Sequence, residues 1–170
     1  NQDRSSGIGG SQGALPSAVP VFVTANDSDR GQGSSMRVQI VEDEALAPAL
    51  VDAAVINTIS KTVDRNGGGT ARLRFTITGV DSKKNPLSIE RENMFYSNDA
   101  LLKNVNAELV EAVTILMQNK FEPVKLYGIT VEAQVSEQAQ VAEIVRVQAA
   151  KRQVVPGEKL AIDVTMKPYR

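Results

Sequence analysis

Apolar and polar positions alternate along most of this chain, and the period of the alternation changes twice. Val21 and Val23 mark an extended run over 19–25, and Met36, Val38 and Ile40 alternate with Arg37 and Gln39 over 36–41. That period of two is the signature of half-buried strands. NDSDRGQGSS between them is rich in turn formers, so the pair reads as a β-hairpin with a long tip. The period then lengthens. Leu50, Val51, Ala54, Val55, Ile56 and Ile59 predict a helix over 46–62 that is apolar on nearly every side and therefore largely buried. Pro48 fits only its first turn, and Glu42, Asp43 and Glu44 suit the positive end of its dipole.

The clearest strand is 70–80, where Ala71, Leu73, Phe75 and Ile77 face one way and Arg72, Arg74, Thr76 and Thr78 the other. A turn at 81–86 and a run near 87–95 complete a second hairpin. Asp99 is placed to cap a second helix over 100–119, along which Leu102, Val105, Leu109, Ala112 and Leu116 draw one apolar stripe. This is read as a core face rather than a coiled coil. Ile129, Val131, Ala133 and Val135 alternate as a further strand. The Ile144-Val145 pair spoils the alternation of 141–149, as expected of a strand covered on both faces. Pro156-Gly157 turns the chain into a last strand carrying Leu160, Ile162, Val164 and Met166. The order ββαββαβββ, about seven strands and two helices, predicts an α+β fold: a mainly antiparallel sheet with both helices packed on it. Residues 1–18, with four Gly and four Ser, read as a linker or junction segment, and 19–170 as a single α+β domain.

Composition narrows the chemistry. The 170 residues contain no His, Cys or Trp, which removes imidazole bases, thiolate nucleophiles, disulfides and zinc-thiolate sites. Only 4% is aromatic against 42% hydrophobic, so the core must be aliphatic. A net charge of −1 gives no field to attract nucleic acid. No apolar run reaches the length of a membrane span, and no cofactor motif is present.

Several short patterns invite chemistry and each has a plainer reading. Gly7 to Gly13 has glycines like a phosphate loop, but lacks the strand before and the helix after that such a loop requires. Asp27 and Asp29 stand two apart, as in calcium loops, and are the candidate metal ligands. The fifth and twelfth positions counted from Asp27 are Gly31 and Val38, which supply no side-chain oxygen, so a hairpin tip is favoured over a metal site. Glu42, Asp43 and Glu44 read as a helix entrance rather than an acid/base pair. Ser60-Lys61 and Ser82-Lys83 lie in solvated settings, where lysine keeps its proton. From residue 140 onward six basic residues meet three acidic ones, without the aromatic residues that stack on single strands.

Three stretches carry a resemblance. Gln2-Asp3-Arg4-Ser5-Ser6-Gly7-Ile8-Gly9-Gly10 leads into Val19-Pro20-Val21; Asn119-Lys120-Phe121-Glu122-Pro123-Val124 follows; and Val155-Pro156-Gly157-Glu158-Lys159-Leu160 precedes a final Lys167-Pro168-Tyr169-Arg170. Their order resembles the region C-terminal to the peptidase core in long bacterial proteins of the SpoIVB-type serine peptidase family. The resemblance covers about residues 2–170. The family's Gly-His and Ser-Gly-Ser-Pro catalytic contexts have no counterpart here. The resemblance therefore implies a domain that is not an enzyme on its own, with a peptidase domain upstream and Asn1 as a cut. It further implies an extracytoplasmic setting (periplasm, cell surface or secreted), with the peptidase in cis or an envelope protein as partner. Asp3 and Arg4 are the interaction residues expected at the junction. A structural spacer or assembly subunit of a larger envelope particle is the alternative.

Overall fold

The computed structural model describes residue 13, residues 16–63, residues 68–98, residue 101 and residues 105–168. Within them the chain runs β1 (Ala18–Asp27), β2 (Gln32–Val41), α1 (Ala47–Thr62), β3 (Gly69–Val80), β4 (Pro86–Ser97), α2 (Ala107–Met117), β5 (Lys125–Ser136), β6 (Ala142–Ala149) and β7 (Ile162–Pro168). This is the α+β order that the periodicity predicts.

Five strands form one sheet in the order β2-β1-β5-β3-β4, and β6 and β7 form a separate two-stranded ribbon. The two hairpins flank β5, which pairs parallel with β1 and antiparallel with β3. One pairing thus departs from an otherwise antiparallel arrangement. Val19, Val21, Val23 and Ala25 of β1, Ala71, Leu73, Phe75 and Ile77 of β3, and Ile129, Val131, Ala133 and Val135 of β5 all point to one side. Val51, Val55 and Ile59 of α1 and Leu109 and Val113 of α2 cover them. Burying a side chain of this size contributes roughly 1.5–3 kcal/mol relative to exposure. Polar groups beneath the helices are satisfied: Thr58 donates to the Ala54 carbonyl at 2.8 Å and Thr62 to the Thr58 carbonyl at 3.0 Å. Asn106 at the entrance to α2 donates to Asp52 of α1 at 2.7 Å, and so ties the helices together.

Four local expectations are corrected. The tip of the first hairpin is short, spanning only Ser28–Gly31, because the strands continue through Asn26 and from Gln32. Near the tip the inward positions are polar as well, with Asp27 on β1 and Ser34 on β2, which hides the alternation. α1 is buried on one side only, with Leu46 54% and Leu50 39% exposed; two layers leave its outer face in water. α2 begins at Ala107, seven residues later than expected, while Asp99, Ala100 and Leu102 lie outside the described residues. Finally, β6 is exposed along its whole length rather than covered on both faces. The irregular Ile144-Val145 pair is a β-bulge, not a sign of burial.

Candidate interaction surfaces

β5 ends against β3, where the Thr70 hydroxyl donates to the Gln138 carbonyl at 2.7 Å and accepts the Gln140 N–H at 2.9 Å. Beyond that anchor the chain leaves the sheet, and every residue from 142 to 168 is exposed. The register of the ribbon decides what it presents. Residues directly opposite in an antiparallel pair share a face. Ala142 lies opposite Pro168, Ile144 opposite Met166, Val147 opposite Val164, and Ala149 opposite Ile162. These four rungs form one wholly apolar face. Glu143 with Lys167, Arg146 with Thr165, and Gln148 with Asp163 form a wholly polar one.

The register shift between Ile144 and Arg146 is what keeps the apolar face continuous. Val145 is the extra residue; absorbing it as a bulge returns Val147 to the side of Ile144, whereas an unbroken ladder would turn Val147 away. The large side chains are far from covered: Val147 and Met166 are each 62% exposed and Val164 47%. The far end is closed by the Ala150 N–H on the Ala161 carbonyl at 2.9 Å and a turn at Pro156-Gly157, where Gly157 takes φ +89°. Lys151 pairs with Glu158 there and holds that carboxyl below its ordinary pKa, helped by the Val155 N–H.

The open face of the five-stranded sheet has the opposite character. Arg74 pairs with Glu90, and Arg72 donates to Glu92 at 2.6 Å. The hydrogen bond and charge of Glu90, and more weakly the charges of Glu132 and Glu92, raise the Arg74 pKa. Arg37 stacks over Phe22 at 4.6 Å from the ring centre. Exposed, mutually neutralised pairs of this kind contribute little to stability and leave no unbalanced charge for a ligand. The shallow depressions on this face are lined by Arg72, Arg74, Glu92 and Glu132 and by the small polar residues Thr24 and Ser35.

The residues singled out from the sequence fall mainly into structural roles. Asp27 Oδ1 accepts the N–H groups of Asp29 and Arg30 at 2.9 and 3.1 Å and so closes the hairpin tip. Asp29 reaches across to β5, accepting the Ser136 hydroxyl at 3.1 Å and the Glu137 N–H. The two carboxylates therefore brace the tip to the sheet. Among the described residues no group of three or more His, Cys, Asp or Glu side chains is placed to hold a metal. Asp43 accepts the Ala45 and Leu46 N–H groups, each at 2.9 Å, ahead of α1, and Glu42 accepts the Ser17 hydroxyl. Asp3 and Arg4 lie outside the described residues. No described helix is long and apolar enough to cross a membrane.

Two surfaces escaped the sequence reading. One is the apolar ribbon face, whose signal is an alternation that slips by one residue at Val145. The other is the outward stripe of α1, where Leu46, Ala49, Leu50 and Ala53 recur at i, i+3, i+4 and i+7 and are all exposed. No protein-family model, curated protein or solved structure matches this chain.

Proposed function

We propose that the chain is a non-catalytic accessory and interaction domain of an extracytoplasmic, SpoIVB-type peptidase-like protein. In this reading it adjoins the peptidase through the segment containing Asp3 and Arg4 and holds a binding partner on the β6–β7 ribbon. The observation that carries it is the ribbon's one-sided composition: four apolar rungs on one face, three polar rungs on the other, and water on both. A two-stranded hairpin has little stability alone, and monomeric soluble domains rarely expose a continuous apolar face without a use for it. The family assignment rests on the three sequence stretches quoted above.

Two measurements test the reading. A hydrophobic dye added to the dilute chain is expected to bind, and Val147→Asp with Val164→Asp to weaken that binding by the ribbon's share. The peptidase domain of the same protein, supplied in trans, is expected to retain the wild-type chain and to retain Arg4→Ala less. No retention of either form would remove the accessory role, and no dye binding would remove the ribbon as a docking face. The alternative of an assembly subunit is favoured by one observation, the exposed apolar stripe on α1.

A further inference from the structure

Positive charge gathers at the end of the sheet where β3 turns into β4. Val80 of β3 lies opposite Lys125, the first residue of β5, so the β3–β4 turn (residues 81–85) and the α2–β5 connection (residues 118–124) leave the same end of the sheet. With Lys125 they carry Lys83, Lys84 and Lys120, all exposed, against Asp81 and Glu122. Among the described residues no carboxylate pairs with any of the four lysines. Asp81 is taken up by its own turn, where it accepts the Lys83 and Asn85 N–H groups and the Asn85 side-chain amide. The other acids at this end, Glu42, Asp43 and Glu44, follow β2 at the far edge of the five strands. At ordinary strand spacing they stand roughly 14–19 Å from the β3–β4 turn, beyond the ~10 Å screening length of 0.1 M salt.

Two details set these loops apart from an ordinary solvated surface. Lys84 is the one non-glycine among the described residues with a positive φ, +66°, a conformation that Gly or Asn adopts at lower cost. Phe121 is fully exposed, and the turn around it is built: Asn119 Oδ1 accepts the Phe121 and Glu122 N–H groups, each at 3.1 Å, and Pro123 stiffens the backbone beyond. A preformed loop thus holds an aromatic ring out in water. Ile115, in the last turn of α2, and Tyr127, left without a ladder partner by the register shift of β5 against β3, are exposed at the same end.

We propose that this end of the molecule docks on an anionic phospholipid surface, with Phe121 entering the headgroup layer and Lys83, Lys84, Lys120 and Lys125 facing the lipid phosphates. Charge complementarity supports it, because unpaired lysines near a negatively charged bilayer each strengthen binding about fivefold. Their apolar stems can lie along the headgroup layer while the ammonium groups stay hydrated. The protruding ring supports lipid over an acidic protein. A yielding surface receives a single phenylalanine without a preformed pocket, whereas a protein partner must supply one. Tyr127 adds an amphipathic ring of the kind suited to a membrane–water boundary. The attachment is peripheral, since no described helix is long and apolar enough to cross a membrane.

Co-sedimentation of the whole chain with mixed phosphatidylglycerol–phosphatidylcholine vesicles tests this, with pure phosphatidylcholine vesicles as the neutral reference. The expected result is binding to the anionic vesicles alone, reversed near 1 M salt, where the screening length falls to about 3 Å. Lys83→Gln with Lys84→Asn, which leaves a residue suited to positive φ, is expected to weaken binding about 25-fold, or fivefold per charge. Phe121→Ser is expected to weaken it about tenfold. Phe121→Trp provides a reporter, since the chain has no other Trp. Its emission should shift to the blue on anionic vesicles and be quenched by brominated lipid. All these positions are exposed, so the variants keep the fold, with circular dichroism as the check. Arg146→Gln with Lys167→Gln, on the ribbon, is expected to leave binding unchanged. A chain that ignores anionic vesicles, or an unshifted emission from the Phe121→Trp variant, overturns the proposal. So does binding lost with the ribbon substitutions but kept with the Lys83 and Lys84 ones, which would move the contact to the ribbon. Binding to polyglutamate without binding to vesicles overturns lipid in favour of an acidic protein partner.

Discussion

Ending the chain after Gln140 should leave the body of the protein as stable as before, although it removes 30 of 170 residues. The reasoning starts from where burial stops. Among the described residues, all 24 buried apolar side chains lie between Val19 and Val135, so the truncation removes none of them. It also spares the last bonds that fasten β5 to β3, those between Thr70 and residues 138 and 140. What is lost is a ribbon whose hydrogen bonds are internal and whose side chains are already in water. Changes confined to such surface typically alter stability by ~0.5 kcal/mol. Ile129→Ala provides the contrast. Ile129 is fully buried on the central strand, facing Val21 on one side and Ile77 on the other, and the substitution should cost about 2–5 kcal/mol. With a urea dependence of about 2 kcal/mol per molar, that moves the unfolding midpoint down by roughly 1–2.5 M. Urea unfolding followed by far-ultraviolet circular dichroism, on dilute monomeric samples, compares the three chains. The truncated chain should match wild type in midpoint and also in slope, since slope follows the surface newly exposed on unfolding and the ribbon contributes little. A midpoint that falls as far as that of Ile129→Ala, or a slope reduced in proportion to length, would refute the division into a self-sufficient body and a solvent-exposed ribbon.

Three further outcomes follow from single contacts. Asp81 accepts N–H groups from Lys83 and Asn85 and the Asn85 side-chain amide, which hold its carboxyl below the ordinary 3.8. A carboxyl lowered in the folded state stabilises above its unfolded pKa, and that contribution fades as pH falls through the lowered value. The β3–β4 turn should therefore open only in strong acid, and an NMR titration of Asp81 with a midpoint at or above 3.8 would contradict it. Gly79→Ala would put a Cβ 2.5 Å from the Lys125 carbonyl oxygen, where β3 and β5 shift register, so a loss of ~1–3 kcal/mol in thermal unfolding is expected. Asp29→Ala should cost about 1 kcal/mol by removing the acceptor for Ser136 and Glu137. Calcium should leave the wild-type melting temperature unchanged, because Asp27 Oδ1 and Asp29 already serve backbone and hydroxyl donors.

Much of the body was legible in the sequence because strict alternation leaves little freedom. Ala71, Leu73, Phe75 and Ile77 against Arg72, Arg74, Thr76 and Thr78 permit only one orientation of β3, and the structure adopts it. What alternation does not encode is partnership. The insertion of β5 between β1 and β3, parallel to one and antiparallel to the other, is a long-range choice with no local mark. Polarity also misled at the hairpin tip, where Asn26, Ser34 and Ser35 look like loop residues yet occupy paired strand positions. In α1 the error ran the other way. Leu46 and Leu50 are apolar enough to suggest burial, but among the described residues no third layer covers them. Asp29 does lie in the hairpin tip, and Asp27 closes that tip from the end of β1; the reach of Asp29 to Ser136 and Glu137 depends on tertiary contacts that spacing alone does not reveal.

The bulge at Val145 joins these two kinds of error. Taken as a broken pattern, Ile144-Val145 argues for a strand buried on both sides. As a bulge it gives the opposite result, a ribbon that keeps all its polar paired residues on one face and all its apolar ones on the other. That separation does nothing for the body, whose core is complete without it. Nor does it stabilise the ribbon in water, where an apolar face gains nothing from being continuous. An uninterrupted apolar face becomes favourable only when another surface removes it from solvent. The apolar excess on α1 has the same property: it too lies outside the core and is exposed.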